Sequence, residues 1–244
     1  MSKYGVIGGT GLPEITGLVT THQTSVKTPY GVPSAPLIYG LLGDKEVVFL
    51  SRRGREAAIV AHKINYRANI WSLRDAGIQK IIATAAVASL DPTLNIGDVI
   101  LPDQLIDYTY GRESSFDRLD ANGCTESHIS FTEPYSPALR GKILLTCRET
   151  NFQLRSTGTY AITQGPRFET RAEAMRLVRD GCHFVGMTGM PEASLATELG
   201  MEYASIALVI AKVGSTSQTT AEQKAFISHK QDQVVKLISK IIQN

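Results

Sequence analysis

Short apolar runs rich in β-branched residues alternate along the chain with segments of helical period, and this alternation confines it to the α/β class. Strands are expected at Gly5–Gly8, Leu37–Tyr39, Val47–Leu50, Lys80–Val87, Asp98–Leu105, Thr157–Thr163, His183–Gly186 and Tyr203–Ile210. The helices between them carry their own end signals. Ile64, Ala68, Ile70, Trp71 and Leu73 form an apolar stripe that stops at Gly77, where a glycine C-cap is expected. Thr170-x-x-Glu173 and Thr219-x-x-Glu222 read as capping boxes, for helices running to about Asp180 and to the C-terminus. Pro191 suits the first turn of a helix over Pro191–Leu199. Two stretches fall outside the pattern. Tyr30–Pro36 is rich in Pro and Gly, and Tyr108–Pro137 is polar, carries scattered aromatics and exceeds an ordinary connection, so a binding or subunit-contact role is expected of it.

At 244 residues the chain can bury one sizeable core, and a single domain over residues 1–244 is the expectation. Lys and Arg total 25 against 23 Asp and Glu, which leaves no basic field for a nucleic-acid partner. Cys124, Cys147 and Cys182 are far apart and show no metal-ligand spacing, so reduced thiols in a cytoplasmic protein are expected. The opening residues lack a basic-then-apolar leader, and no apolar run is long enough to span a membrane.

Several polar elements follow strands directly, at the sheet edge where open α/β proteins bind ligands. Gly8-Gly9-Thr10-Gly11 ends the first strand in a loop whose backbone could approach an anion, or make a plain tight turn. Its spacing matches neither the dinucleotide fingerprint nor a nucleoside-triphosphate loop. Ser51-Arg52-Arg53-Gly54-Arg55 follows another strand and reads as either an anion grip or a solvated turn. In Gly186-Met187-Thr188-Gly189-Met190-Pro191-Glu192 a threonine hydroxyl is expected at a helix start, which favours anions. Thr10, Arg52 and Thr188 together would make a phosphate pocket.

GVIGGTGL, TPYGVPSAPL, KINYRANIWSLRDAG, LPDQLIDYT, TQGPRFETRAE and GMTGMPEASLATELG occur in order from the N-terminus to about residue 215. This series resembles the methylthioadenosine and methylthioinosine phosphorylase branch of the purine nucleoside phosphorylase family. The resemblance implies a nucleoside phosphorylase-like single domain, with a central mixed β-sheet flanked by helices, assembled as a homotrimer. It also implies that inorganic phosphate, as co-substrate, displaces a purine from C1′ of a 5′-modified ribose such as that of S-methyl-5′-thioinosine, without metal or organic cofactor. Carried over residue by residue, Thr10, Arg52, Arg53, Ala86 and Thr188 fall at phosphate-binding positions. Met187 falls against the ribose, Phe168, Ala211 and Val213 at base-binding positions, and His128 at a position that closes the 5′ pocket of a neighbouring subunit. Without the resemblance, Met187 and Phe168 would read as ordinary packing.

The chain departs from this pattern where catalysis is concentrated. Arg53 replaces a histidine, Ala57 and Ala61 replace a histidine and a proline, and Ala85 replaces a polar residue. Ala211 and Val213 stand where the branch has side chains that hydrogen-bond the purine. Losing a positioned donor to a leaving group costs about a hundred- to ten-thousand-fold in rate. An active purine nucleoside phosphorylase is therefore expected beside two alternatives: a weak or inactive homologue that binds phosphate or a nucleoside, and a hydrolase or phosphorylase acting on another leaving group.

Overall fold

A computed structural model describes residues 3–9, 15, 17–54, 57–116, 128–214 and 220–244. In chain order the elements begin with β1 (Lys3–Gly8), β2 (Val19–Thr24), β3 (Leu37–Leu42), β4 (Lys45–Ser51), α1 (Tyr66–Asp75) and β5 (Ile78–Ser89). They continue with β6 (Val99–Ile100), β7 (Gln104–Tyr108), α2 (Pro137–Glu149), β8 (Thr159–Thr163) and α3 (Arg171–Arg179), and close with β9 (Phe184–Gly186), α4 (Glu192–Glu198), β10 (Glu202–Lys212) and α5 (Ala221–Gln243).

Adjacent residues of the central strands enter opposite halves of the core. Ile7 and Ile81 pack with Ile70 and Leu73 of α1 and Leu195 of α4. Val6 and Ile82 pack with Ile143 of α2 and with Ile238 and Ile241 of α5. Because both faces are covered, these strands read as unbroken apolar runs rather than alternating ones. Among the described residues the result is an α/β architecture around one mixed, 10-stranded sheet with the path β2-β3-β4-β1-β5-β9-β8-β7, to which β10 and β6 attach beside β5.

The sheet forks at β5. β10 runs parallel along one side of β5 from Lys80 to Ser89. On the other side β1 pairs only as far as Ala83, and β9 meets β5 in antiparallel fashion only at Ala88 and Ser89. Between those points this edge of β5 has no neighbouring strand among the described residues, and the strand ends around the gap form an opening. Such a break in the strand order is where open sheets take ligands.

Most element ends follow from local chemistry. Asn65 caps α1 by accepting from the Ala68 amide, and Gly77 closes it with φ of +79°. Thr170 and Glu173 form the expected capping box. The corresponding box on α5 is Thr220 with Gln223, one residue later than the expected Thr219 and Glu222; Thr219 lies outside the described residues. The expected strand Asp98–Leu105 is two strands, β6 and β7, separated by a segment containing Pro102, which cannot donate to a ladder. Two elements were not expected from the sequence: β2, and α2 at the end of the long polar stretch.

Candidate active site

Arg52 follows β4 directly, its amide bonded to Gly8 O at 2.9 Å, so its side chain enters the fork. There Arg52 Nη1 donates to Thr84 O at 2.7 Å, and Thr84 Oγ1 accepts from the Gly9 amide at 3.1 Å. Thr84 lies on the stretch of β5 that has lost β1 as a neighbour, and these two bonds replace the ladder across the gap. Gly9 is required at this closeness: a Cβ would stand 2.8 Å from both Arg52 Nη1 and Thr84 O.

The guanidinium is only 1% exposed and lies against Glu192, which is 0% exposed. Arg52 Nε donates to Glu192 Oε2 at 2.6 Å and Arg52 Nη2 to Glu192 Oε1 at 2.7 Å. Burial pulls the Arg52 pKa down, but the Glu192 charge and hydrogen bonds outweigh it and hold the group above its ordinary value. Arg52 is therefore a fixed cation. Three of its N–H groups are used by these bonds, which leaves one on each terminal nitrogen among the described residues.

A cavity of about 320 Å³ opens at the fork. Gly9, Arg52 and Arg53 line it from the β1 and β4 ends, Ala85, Ala86 and Ala88 from β5, and Ala211 from β10. Phe168 and Glu169 reach it from the segment after β8, and Met187 and Thr188 from the turn after β9. Of the positions expected from the sequence, Arg52, Arg53, Ala86, Thr188, Phe168, Met187 and Ala211 thus converge. Phe168 stands at the rim with 81% of its surface exposed. Arg53 is anchored by its Nε, which donates to Ile59 O at 2.7 Å. Met187 is held close to Gly165, where a Cβ would come within 2.6 Å of its Sδ.

Other expected positions are not brought there. Thr10 lies outside the described residues. Val213, expected against the base, is turned away: its amide bonds Ser89 O at 3.0 Å, and its side chain packs against the Leu177, Cys182 and Val185 cluster. His128 is exposed and does not line this chain's cavity; its expected role concerns a neighbouring subunit.

The expected helix-start setting of Thr188 also changes. The helix α4 begins at Glu192 with Pro191 as its N-cap, so Thr188 sits in the preceding turn. The anion in the first turn of α4 is Glu192 of the chain itself.

Two groups in or beside the site had no individual reading in the sequence. Glu169 is the carboxylate in the cavity wall; one oxygen accepts from Thr163 Oγ1 at 2.7 Å, and the other has no hydrogen-bond partner among the described residues. Its signal in TQGPRFETRAE is an acid placed immediately after the aromatic residue. Arg112, from the long polar stretch, donates to Met187 O at 2.9 Å, to Met190 O, and to Gln164 O at 2.9 Å. It therefore ties together the two segments that present Met187 and Phe168. Its guanidinium also lies over the Tyr66 ring, 5.4 Å from the centroid.

An oriented cation, a hydroxyl and a carboxylate thus meet at the fork of a mixed sheet, and similarity to known proteins says which class the chain falls in. Residues 3–243 match the phosphorylase superfamily, and the chain belongs to that superfamily. It is 46% identical over 210 residues to a Pseudomonas syringae pv. tomato protein named "Probable S-methyl-5'-thioinosine phosphorylase", covering 86% of this chain and 85% of that one. It is 39% identical over 244 residues to a 6-oxopurine nucleoside phosphorylase of Pyrococcus furiosus, covering 98% of this chain and 91% of the other. Among solved structures, methylthioadenosine phosphorylase from Schistosoma mansoni in complex with tubercidin superposes with a TM-score of 0.91 at 30% identity, covering 100% of this chain and 91% of that chain.

Proposed function

We propose that the protein catalyses phosphorolysis of a purine nucleoside, releasing the free base and a pentose 1-phosphate. The observation that carries this reading is the joining of Arg52, Thr188, Glu169 and Phe168 in one cavity at the sheet fork. Inorganic phosphate fits between the free N–H groups of Arg52 and the Thr188 hydroxyl, where charge-assisted hydrogen bonds neutralise and aim it. A phosphate oxygen forms the new bond to C1′ as the bond from C1′ to the purine nitrogen breaks, and that electron pair leaves on the purine, which is then protonated. The reaction as written uses no metal and no organic cofactor. The named relatives support catalysis over a binding-only role.

Glu169 supports a 6-oxopurine as the base. An ionised carboxylate only accepts hydrogen bonds, a 6-oxopurine offers it the N1–H, and adenine offers an acceptor there instead. The Pseudomonas relative supports a 5′-methylthio substituent, and so S-methyl-5′-thioinosine as substrate and 5-methylthioribose 1-phosphate as product. The homotrimer, His128 as its contribution to a neighbour's 5′ pocket, and cytoplasmic placement are carried by the sequence resemblance and composition. No helix among the described residues is long and apolar enough to cross a membrane.

Purified protein incubated with inosine, adenosine and their 5′-methylthio counterparts, with and without phosphate, tests this by chromatography of the released base. Phosphate-dependent release of hypoxanthine faster than adenine is expected. Glu169→Ala should reduce that preference by about tenfold or more, since a site built to accept from a substrate N–H discriminates through it. Base release that does not need phosphate would make the protein a hydrolase, and no release from any nucleoside would overturn the reading.

A further inference from the structure

Glu192 does not line the cavity, yet it takes two N–H groups of Arg52, which does. We infer that Glu192 is a positioning residue for the phosphate end of the site, held in turn by Tyr203. The inference deepens the proposed function and rests on the reading that phosphate binds beside Arg52.

The geometry is a buried relay. Tyr203, on β10, donates its hydroxyl to Glu192 Oε1 at 2.7 Å, and the two Glu192 oxygens take Nε and Nη2 of Arg52 at 2.6 and 2.7 Å. Tyr203 is 2% exposed and stacks on Tyr135 with centroids 6.2 Å apart, so its ring cannot follow a moving carboxylate. A buried ion pair is a poor source of stability, because desolvation offsets much of its attraction. What the two parallel bonds supply is direction: they fix the guanidinium plane, and with it the N–H on each terminal nitrogen that remains for the anion. Glu192 and Arg52 are 140 residues apart in the chain, and they come from opposite sides of the fork. The relay thus sets the distance between Arg52 and Thr188, which lies just ahead of α4 on the Glu192 side.

Calorimetric titration with inorganic phosphate, alongside nucleoside KM and thermal melting, tests the relay in Tyr203→Phe and Glu192→Gln. Tyr203→Phe keeps the ion pair and deletes only its outer support. It should weaken phosphate binding about three- to tenfold, the range expected for one lost buried hydrogen bond, and leave the nucleoside KM within about twofold. Glu192→Gln puts an amide donor against Arg52 donors and should weaken phosphate binding further. Where Glu192→Gln does not fold, Tyr203→Phe decides. A lowered melting temperature with unchanged phosphate affinity would overturn the proposal and leave the phosphate site standing, as would equal losses for phosphate and nucleoside. A wild-type protein that gives no phosphate binding would remove the site, and the positioning role with it.

Discussion

Ala211 offers the departing purine no donor, although it lines the cavity beside a register shift in β10 between Val209 and Ala211. In the proposed reaction Glu169 would hold a ring N–H, but a carboxylate does not stabilise negative charge accumulating on the leaving base. An amide at position 211 could donate to a ring acceptor and accept from a ring N–H. Ala211→Asn is therefore expected to raise kcat for 6-oxopurine nucleosides, on the order of tenfold to a hundredfold, with little change in phosphate affinity. Initial rates at saturating phosphate would show it, and an unchanged or lower kcat would mean the leaving group is already served from elsewhere. At this scale the sequence was readable where a residue type announces its chemistry: Arg52 and Thr188 follow strands, carry a cation and a hydroxyl, and line one cavity. It was unreadable where a role comes from a distant contact. Nothing local to Glu192 distinguishes it from a solvated helix residue, and the close approach of Gly9 to Arg52 exists only once β1 and β4 have paired.

Elements were legible in proportion to their burial. The strands β5 and β10 are buried over most of their length and stood out as apolar runs, whereas β2 is exposed throughout as VTTHQT and left no pattern to find. The helix α2 starts with Ser136 accepting from the Leu139 amide and Pro137 in the first turn, a start signal hidden by the long polar stretch before it. Connections between elements make their own contribution to stability. Asp91, just after β5, accepts from the Thr93 hydroxyl at 2.7 Å, the Thr93 amide at 2.8 Å and Arg155 Nη1 at 2.7 Å. The Thr93 hydrogen bonds chiefly, with help from Arg155, lower its pKa from 3.8 to about 2. A depressed folded-state pKa stabilises above the unfolded value and ceases to do so as pH falls through the folded one. Asp91→Asn should then cost about 2 kcal/mol at neutral pH, and the difference from wild type should shrink between about pH 4 and pH 2. Denaturant unfolding at neutral pH and again near the lower end of that window would check this, and a pH-independent difference would count against the carboxylate's role.

At the scale of the whole molecule the α/β class was legible, because alternation and β-branched runs are properties of the entire chain, and the mixed sheet was legible only through the family resemblance. The fork was not, since strand order depends on pairings between distant segments. His128 does not line the cavity among the described residues, and the proposed homotrimer would bring a neighbour's copy of it to the proposed 5′ side. Light scattering at micromolar concentration is expected to give three times the mass of one chain. With a 5′-methylthio nucleoside as substrate, His128→Ala is expected to raise KM by about tenfold, as loss of a hydrogen bond or a packed ring would. A monomeric mass would remove this role from His128. The fork itself has an evolutionary consequence. Phe168 and Glu169, to which the proposed function assigns the base, follow β8, while Gly9 and Arg52 follow β1 and β4 across the gap. On the proposed reading, descendants of this chain could change their purine through the β8 arm and β10 while inheriting Arg52 unchanged from the other side of the gap.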